Sequence, residues 1–436
     1  MPVIDHDGHS SHDTTTVTAM SETIHLDDLR NPRLSTAQRA AIDATRNLVV
    51  ELSEQAVLDA ARKRTGLADF GPEDFRTRLG LLIDEWGTDA GILPLQRLTL
   101  NNYLVRYASN RLLLQDLWNR HPEILDTEIR QPIIVAGLPR SGTTHLVNLL
   151  AADRRFRSLP LWESYEPLPL PGETASSGAE DPRYRRCMEA WEGMQAILPR
   201  LAAMHPMHPD HIHEELELMG PDFASYNFEW LSPSPRWRDH YYASDQTPHY
   251  RYMRNVLKTL QHLRGPDRWV LKCPQHMEQL PLLRTIFPDA TVVITHRDPV
   301  AVIQSSVTMI AYGERMRRDQ VDTEALIRYW SDRVEHMLRA CVRDRPVWPA
   351  SQSLDVPFHH FMADELGTVE RIHALAGSGL PDDVRAGLLH YLEAHPRGKD
   401  GRVIYDLQAD FGVDPATLRK RFDFYFEAFP EVRAEA

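Results

Sequence analysis

The chain has 436 residues, of which 42% are hydrophobic and 25% are charged, a balance typical of a globular protein with a sizeable core. The formal net charge of −13 argues against a general nucleic-acid-binding surface, because such surfaces are basic. No apolar run approaches the roughly 18 residues that a transmembrane helix needs, and no secretory signal is visible. The three cysteines are scattered, so we expect reduced thiols and a cytoplasmic protein.

The first third of the chain is predicted to be helical after a polar tail. Residues 1–30 are rich in His, Ser, Thr and Asp and are predicted to be disordered. Apolar residues then recur at helical spacing, first through one long helix over residues 35–56 and later over residues 75–85 and 98–117. Residues 31–130 are therefore predicted to form an all-helical extension.

From residue 131 onward, short apolar runs alternate with helical segments, which predicts an α/β fold with a mostly parallel sheet flanked by helices. The predicted strands are 132–136, 158–162, 268–272 and 291–295. Residues 167–252 are rich in Pro, His and aromatic side chains, and we interpret them as an insertion that forms an acceptor pocket or a lid. The α/β domain is predicted to span residues 131–436.

The most informative segment joins the first of these strands to a helix, and it reads Gly137-Leu-Pro-Arg-Ser-Gly-Thr-Thr144. A strand, a glycine-containing loop and a helix turn backbone N–H groups toward an anion, with the helix dipole behind them. The segment is similar to the P-loop of nucleoside triphosphatases, but Thr143 stands where that motif requires Lys. Its cation is Arg140, inside the loop, which suits a phosphate-like group without Lys–Mg²⁺ chemistry.

Three later segments carry residues that also suit an anion. Lys272 ends a predicted strand, at the sheet edge where doubly wound folds bind ligands. Arg297 follows another predicted strand, with Ser305 two helical turns further on, and a guanidinium matches the geometry of a phosphate dianion. A late basic turn contains Arg397, Gly398 and Lys399.

In this order, the four segments resemble the sulfotransferases that use 3′-phosphoadenosine 5′-phosphosulfate, over roughly residues 131–410. The resemblance implies a P-loop-like fold, 3′-phosphoadenosine 5′-phosphosulfate as sulfuryl donor, and no metal. It implies that the 5′-phosphosulfate is bound by the loop, through Gly137, Pro139, Arg140, Ser141, Gly142, Thr143 and Thr144. It also implies that Arg297 and Ser305 bind the 3′-phosphate and that the turn with Arg397, Gly398 and Lys399 closes over it.

Sulfuryl transfer requires a positioned sulfuryl group, a stabilised leaving phosphate and an acceptor that loses a proton. The resemblance places Arg140 beside the leaving group and Lys272 beside the phosphosulfate. Two residues are candidates for the general base. Glu163 lies near the position of a glutamate in tyrosylprotein-type members, and His276 lies two residues beyond the position of a histidine in some cytosolic members. Glu163 is slightly favoured, and both stay open.

Two further features leave alternatives open. The residue after the Thr-Thr pair, where cytosolic members stack an aromatic ring on adenine, is His145, and Trp162 could take that role instead. The run of His205, His208, His211 and His213, followed by Glu214 and Glu215, could bind a metal, contact the acceptor or lie in a surface loop. Pro206 and Pro209 interrupt the run, so its histidines do not share a helical face, and we predict no metal site.

The predicted activity is sulfuryl transfer to a hydroxyl, or less readily an amine, of a small or lipid-like acceptor, with aromatic residues of the insertion lining an apolar site. A nucleotide kinase or NTPase with an atypical loop is an alternative, although the strand at 291–295 ends in Thr-His-Arg and not in a Mg²⁺-binding Asp. A non-catalytic nucleotide-binding module is a third reading. We expect no nucleic-acid partner and no transmembrane segment, and a homodimer stays open.

Overall fold

The computed structural model of the chain describes residues 22–176, 178–396 and 398–435, so residues 1–21 of the predicted tail lie outside the described residues. Residues 22–30 include strand β1 (Thr23–Ile24), which pairs in parallel with a strand at Arg402–Val403. Ile24, Leu26 and Leu29 are buried. The prediction of disorder is therefore wrong for residues 22–30, because these aliphatic side chains pack into the main core.

Four helices form the extension: α1 (Thr36–Thr45), α2 (Glu54–Thr65), α3 (Phe75–Thr88) and α4 (Pro94–Arg120). The single helix predicted over 35–56 is in fact two helices. α2 starts after Ser53, whose side chain accepts a hydrogen bond from the Ala56 N–H and caps the new helix. A 3₁₀ helix at Pro122–Asp126 then leads to the sheet.

The central sheet has four parallel strands in the order β3-β2-β4-β5. They are β2 (Ile133–Gly137), β3 (Val270–Lys272), β4 (Thr291–His296) and β5 (Ser353–Pro357), and a short β6 (Arg402–Val403) pairs with β1. All residues of β2, β3 and β4 are buried, which explains their unbroken apolar runs. Val135 is level with Lys272 and Gly137 with Thr295, so the carboxyl ends of β2, β3 and β4 meet at one edge.

One predicted strand is absent and one observed strand was not predicted, and both differences have a physical reason. Residues 158–162 make only an isolated bridge at Pro160, and a helix starts at Leu161, because proline lacks the N–H that would extend a ladder and fits the start of a helix. The apolar pattern did not predict β5 because this strand contains Asp355 and ends at Pro357, and both residue types are rare in strands.

Helices cover both faces of the sheet, which confirms the α/β fold. The remaining helices are α5 (Thr143–Ala151), α6 (Leu161–Tyr165), α7 (Pro182–Ile197), α8 (Leu201–Met204), α9 (Leu216–Met219), α10 (Asn227–Leu231), α11 (Pro235–Ala243), α12 (Thr247–Leu263), α13 (Leu280–Ile286), α14 (Pro299–Glu314), α15 (Thr323–Asp344), α16 (Phe358–Ala363), α17 (Glu365–Leu375), α18 (Asp382–Ala394), α19 (Leu407–Phe411), α20 (Pro415–Lys420) and α21 (Asp423–Ala428). Short 3₁₀ helices lie at Gly178–Glu180, Gly220–Asp222, Pro274–Glu278, Arg345–Val347 and Pro430–Glu435. In the part of the chain that the structure describes, none of these helices is long and apolar enough to span a membrane.

The helical extension and the insertion share one hydrophobic cluster. Side chains of α2, α3 and α4 pack there against Phe223, Phe228, Trp237 and Tyr241 of the insertion. Phe223 and Phe228 stack with ring centroids 6.1 Å apart. The extension and the insertion therefore bury each other's apolar side chains, and this packing holds the insertion in place.

Arg333 on α15 supplies a test of how the insertion is held. Its guanidinium lies 2.9 Å from Glu229 and 2.6 Å from Glu278, and all three side chains are at most 1% exposed. Arg333→Met would leave two buried carboxylates without their cation, so we expect a loss of about 3–5 kcal/mol in the free energy of unfolding, measured with urea.

The matched control is Arg339→Met on the same helix. Arg339 is 57% exposed and pairs with Glu335 at the surface, so we expect a change of at most ~1 kcal/mol. Equal losses in the two variants would contradict a buried ion-pair network.

Candidate active site

The loop between β2 and α5 is held in one conformation by its packing. A Cβ atom on Gly137 would lie 2.0 Å from the Thr295 hydroxyl oxygen, so only glycine fits there. Gly142 has φ of 84° and Arg140 has φ of 68°, an uncommon value for a residue with a side chain. The Ser141 and Thr295 hydroxyls lie 2.7 Å apart. The Ser141 side chain therefore fixes the loop to β4.

The loop ends at the N-terminus of α5. Thr143 is its first residue, and its N-cap, Gly142, has no side chain to occupy the first N–H groups. These N–H groups and the positive end of the helix dipole suit an anion. Pro139, Arg140, Thr143 and Thr144 line a cavity in front of this helix end.

Arg140 joins the loop to two other parts of the fold. Its Nε donates to the Ser305 hydroxyl on α14 at 3.0 Å, and its Nη1 donates to the Met204 carbonyl. Its own carbonyl accepts from Arg297 Nη1 at 2.5 Å. The structure thus brings Arg140 into one hydrogen-bonded group with Arg297 and Ser305, which follow it by 157 and 165 positions in the sequence.

Arg297 has a carboxylate partner at present. Its Nε donates to Glu435 at 3.0 Å, and the backbone N–H of Asp298 donates to the other oxygen of the same carboxylate at 3.2 Å. The Arg297 guanidinium also lies over the Phe358 ring, 4.1 Å from its centroid. Asp298 itself pairs with Arg419 at 2.6 Å and not with Arg297. An acidic group therefore already occupies the predicted phosphate position.

Lys272 reaches from the end of β3 to the start of α5. Its side chain is only 1% exposed, and its Nζ lies 3.2 Å from the Thr144 hydroxyl oxygen. The same Nζ forms an ion pair with Glu214. Glu214 belongs to the segment that follows the histidine run and lines the same cavity. Sequence reasoning considered Glu214 only together with the histidine run, because its contact with Lys272, 58 positions away, forms only in the folded chain.

The cavity in front of α5 has a volume of about 160 Å³. Away from the loop its walls are largely apolar, with contributions from Met194, Leu198, Leu201, Met207, Leu216, Trp230, Leu231, Pro274, Met309 and Ile310. A second cavity of about 730 Å³ adjoins it and shares Tyr103, Tyr165, Met194, Leu198, Leu201 and Arg317. Tyr103 comes from α4, so the helical extension contributes to both cavities.

The histidine run does not act as one unit. His205 and His213 line the cavity, whereas His208 is exposed. Burial, reinforced by the nearby cations, holds the pKa of His205 and of His213 well below the usual value. Both imidazoles are therefore neutral in the absence of a ligand.

Glu163 is not at this site, contrary to the sequence prediction. It lies on α6, where its carboxylate accepts from Arg157 at 2.5 Å and from Arg264 at 3.1 Å. The side chain is buried and does not line the cavity. The error has a physical cause: the expected strand becomes a helix after Pro160, which turns Glu163 toward these two arginines.

His276 is also directed away from the cavity. It is fully buried in the 3₁₀ helix after β3, and its Nδ1 lies 3.0 Å from the Tyr250 hydroxyl. Burial lowers the pKa of His276 to about 3. A ring nitrogen of His276, the Cys273 sulfur and a Glu215 oxygen lie within 4.8 Å of one another. His276 is thus part of the packing beneath β3, and it does not line the cavity where it was predicted to act.

The aromatic candidates for adenine lie in different places. His145 is partly exposed at the start of α5, and its Nε2 lies 3.0 Å from Glu365. Trp162 is buried against Arg183, away from the loop. Phe358 lies under Arg297 and against Gly142. The sequence analysis missed it because it directly follows β5, the strand that the apolar pattern did not predict.

The late basic turn stays a prediction. Arg397 lies outside the described residues. Gly398 has φ of 75°, and Lys399 is exposed in the turn between α18 and β6.

Comparison with known proteins identifies the family. The sequence model of the Sulfotransferase family matches residues 132–382, more than half of the chain. The chain belongs to the sulfotransferase family. Its fold is similar to that of sulfotransferase STF1 from Mycobacterium tuberculosis H37Rv, with 29% sequence identity and a TM-score of 0.72 over 85% of this chain and 98% of that one. Sulfotransferase STF9 from Mycobacterium avium has a TM-score of 0.77 at 24% identity, over 88% of this chain and 98% of that one. No curated protein matches the sequence.

In this sulfotransferase, Glu215 supplies a test based on pH. Burial raises the pKa of Glu215 to about 8, from an ordinary value of 4.5. Between these values the folded protein holds a proton that the unfolded chain has lost, so this group makes stability fall as pH rises. We expect Glu215→Gln to gain stability relative to the wild type between about pH 5 and pH 8, by at most ~1.4 kcal/mol per pH unit.

The measurement is urea unfolding of both proteins across that range. If the two stability profiles stay parallel, the carboxyl group of Glu215 does not carry a perturbed pKa.

Proposed function

We propose that this sulfotransferase moves a sulfuryl group from 3′-phosphoadenosine 5′-phosphosulfate to a hydroxyl group of a small apolar acceptor. One observation carries the proposal. Arg140, Thr143 and Thr144 line one end of a cavity at the N-terminus of α5, Lys272 contacts Thr144 there, and the walls away from the loop are largely apolar. One end therefore suits an anionic donor, and the other suits an uncharged molecule.

The 5′-phosphosulfate would lie against the N-terminus of α5. The first N–H groups of the helix and the hydroxyls of Thr143 and Thr144 would contact its oxygens. Arg140 and Lys272 would then neutralise the charge that develops on the leaving phosphate. These two cations carry out the task that a metal ion performs in a nucleoside triphosphatase.

The 3′-phosphate would bind where Glu435 lies now. Arg297 and the Asp298 N–H already hold a carboxylate there, and Ser305 lies beside them through Arg140. A phosphate dianion has more charge and more acceptor oxygens than a carboxylate. We infer that the donor displaces Glu435.

The acceptor would occupy the apolar part of the cavity. The wall consists mostly of residues from the insertion and from α14, with Tyr103 from the extension. Side chains such as Leu198, Leu201 and Trp230 offer no charge to a bound molecule. A hydrophobic body with one hydroxyl directed at Arg140 and Lys272 fits this distribution.

Isothermal titration with 3′-phosphoadenosine 5′-phosphate tests the donor, and ATP with Mg²⁺ is the comparison. We expect strong binding of the bisphosphate and weak binding of ATP, because only the former carries a 3′-phosphate for Arg297. A preference for ATP, or binding of neither nucleotide, would overturn the donor assignment. Screening of alcohols and phenols with ³⁵S-labelled donor then follows.

Arg297→Ala tests the 3′-phosphate position. Loss of a partly buried charge partner is expected to weaken binding of 3′-phosphoadenosine 5′-phosphate by about 2–4 kcal/mol. Arg421→Ala, which removes an arginine paired at the surface with Asp332 and Glu335, should leave the affinity unchanged. Similar affinities of the Arg297 variant and the wild type would exclude Arg297 from the donor site.

Glu435→Gln tests the displacement of the Glu435 side-chain carboxylate. Removal of its charge frees Arg297 for the ligand, so 3′-phosphoadenosine 5′-phosphate should bind more tightly, by roughly 1 kcal/mol or about fivefold. Glu431→Gln is the matched control, since Glu431 lies on the same 3₁₀ helix but is 70% exposed and pairs with His360 instead of Arg297. An unchanged or weaker affinity of the Glu435 variant would show that the two anions do not compete.

A further inference from the structure

The transfer reaction needs a group that accepts the proton of the acceptor hydroxyl, and neither Glu163 nor His276 reaches the cavity. Among the described residues that line the cavity, four carry a carboxylate or an imidazole: His205, His213, Glu214 and Glu217. Their partners distinguish them.

Glu217 is fully engaged in structural contacts. Its carboxylate accepts from Arg106 at 2.7 Å, from the Tyr107 hydroxyl at 2.9 Å and from Asn227 at 3.0 Å. Its side chain is 2% exposed. Burial raises the pKa of Glu217, but protonation of this carboxylate would leave Arg106 buried without its counter-ion, so Glu217 is a poor proton acceptor.

The two histidines are poor acceptors for a different reason. Burial lowers the pKa of both His205 and His213, and nearby cations lower it further, namely Arg140 and Lys272 for His205 and Lys272 and Arg106 for His213. An imidazolium formed here would be a buried cation beside two other cations. Proton transfer to either ring is therefore unfavourable during the reaction.

Glu214 lines the cavity too, and it differs from the other three because its only charged partner among the described residues is Lys272, which also contacts the start of α5. Its side chain is 12% exposed, and it pairs with Lys272, whose Nζ also lies 3.2 Å from the Thr144 hydroxyl at the start of α5. One lysine thus connects the carboxylate to the proposed phosphosulfate position. We propose that Glu214 is the general base of the transfer and that Lys272 holds it in place until the donor arrives. This inference rests on the proposed function.

The chemical step balances with these groups alone. The acceptor oxygen forms a bond to sulfur, and the bond from sulfur to the bridging phosphate oxygen breaks, with its electron pair left on the 5′-phosphate. The proton of the acceptor hydroxyl passes to the Glu214 carboxylate. Lys272 moves from Glu214 to the phosphate as charge develops there, so the base loses its counter-ion when it gains the proton.

The next residue, Glu215, supplies a matched control because it faces the opposite way. It is fully buried, and its Oε2 accepts the backbone N–H of Lys272 at 3.1 Å. Burial raises its pKa to about 8, so it is mostly protonated at neutral pH. Gln at this position preserves both the neutral state and the acceptor oxygen, whereas Gln at position 214 removes a charge and a proton acceptor.

The test uses the full chain with ³⁵S-labelled 3′-phosphoadenosine 5′-phosphosulfate and 2-naphthol, and it measures all label that leaves the donor, whether to naphthol or to water. We expect Glu214→Gln to lower kcat by about 10²–10⁴-fold and to bind 3′-phosphoadenosine 5′-phosphate at least as tightly as the wild type. Glu215→Gln should keep kcat within about threefold. The wild-type kcat should fall on the acid side, and the residual rate of the Glu214 variant should not.

Each result has a definite meaning. A Glu214→Gln enzyme with kcat within about threefold of the wild type, or an equal loss in both variants, would overturn Glu214 as the base. A residual rate that keeps the acid-side fall would also overturn it. A wild type that does not bind the bisphosphate or does not release label contradicts the proposed function itself.

Discussion

The active site depends on the close approach of β2 and β4 at Gly137. The Thr295 hydroxyl occupies the space that any side chain at Gly137 would need, and the same hydroxyl lies 2.7 Å from Ser141. This contact fixes the path of the loop and supports the left-handed backbone of Arg140. A strained residue persists only where its surroundings determine its conformation, and here the sheet edge provides that constraint. The guanidinium of Arg140 then points to Ser305 and its carbonyl to Arg297.

The site holds its cations in place before any donor is bound. Arg297 contacts Glu435, Lys272 contacts Glu214, and Arg140 contacts Ser305. Each of these partners supplies an oxygen, as a phosphosulfate would. Pre-arranged charges need little reorganisation when a ligand replaces their partners, and such preorganisation is a major source of transition-state stabilisation. The protein contacts of these cations therefore hold them where the proposed donor would need them.

The two ends of the cavity come from different parts of the fold. The end that suits an anion consists of the carboxyl ends of β2 and β3, which are paired in the central sheet, and of the first turn of α5, which follows β2. The apolar end consists largely of short helices of the insertion, supported from behind by α2, α3 and α4 through a shared aromatic cluster. A change of acceptor would require changes in the helical wall but none in the sheet edge.

Short-range patterns determined the core of the fold and the end of the site that suits an anion. Unbroken apolar runs predicted β2, β3 and β4, and the polar residues that directly follow them predicted Arg140, Lys272 and Arg297 at one edge, because parallel strands end together. The sequence also indicated an anion-binding loop, from Gly137 and Gly142. Thr143, at the position where the triphosphatase loop has lysine, showed that the loop differs from that type.

The acceptor end was decided only by tertiary structure. Glu163 was predicted near the site, but the turn at Pro160 pairs it with Arg157 and Arg264. Glu214 and Glu215 are neighbours in the sequence and look alike there, yet one lines the cavity and the other is buried under Lys272. Which of two adjacent carboxyl groups faces a ligand depends on contacts with residues more than fifty positions away. Local spacing contains no information about such contacts, because they form only when the chain closes around its core.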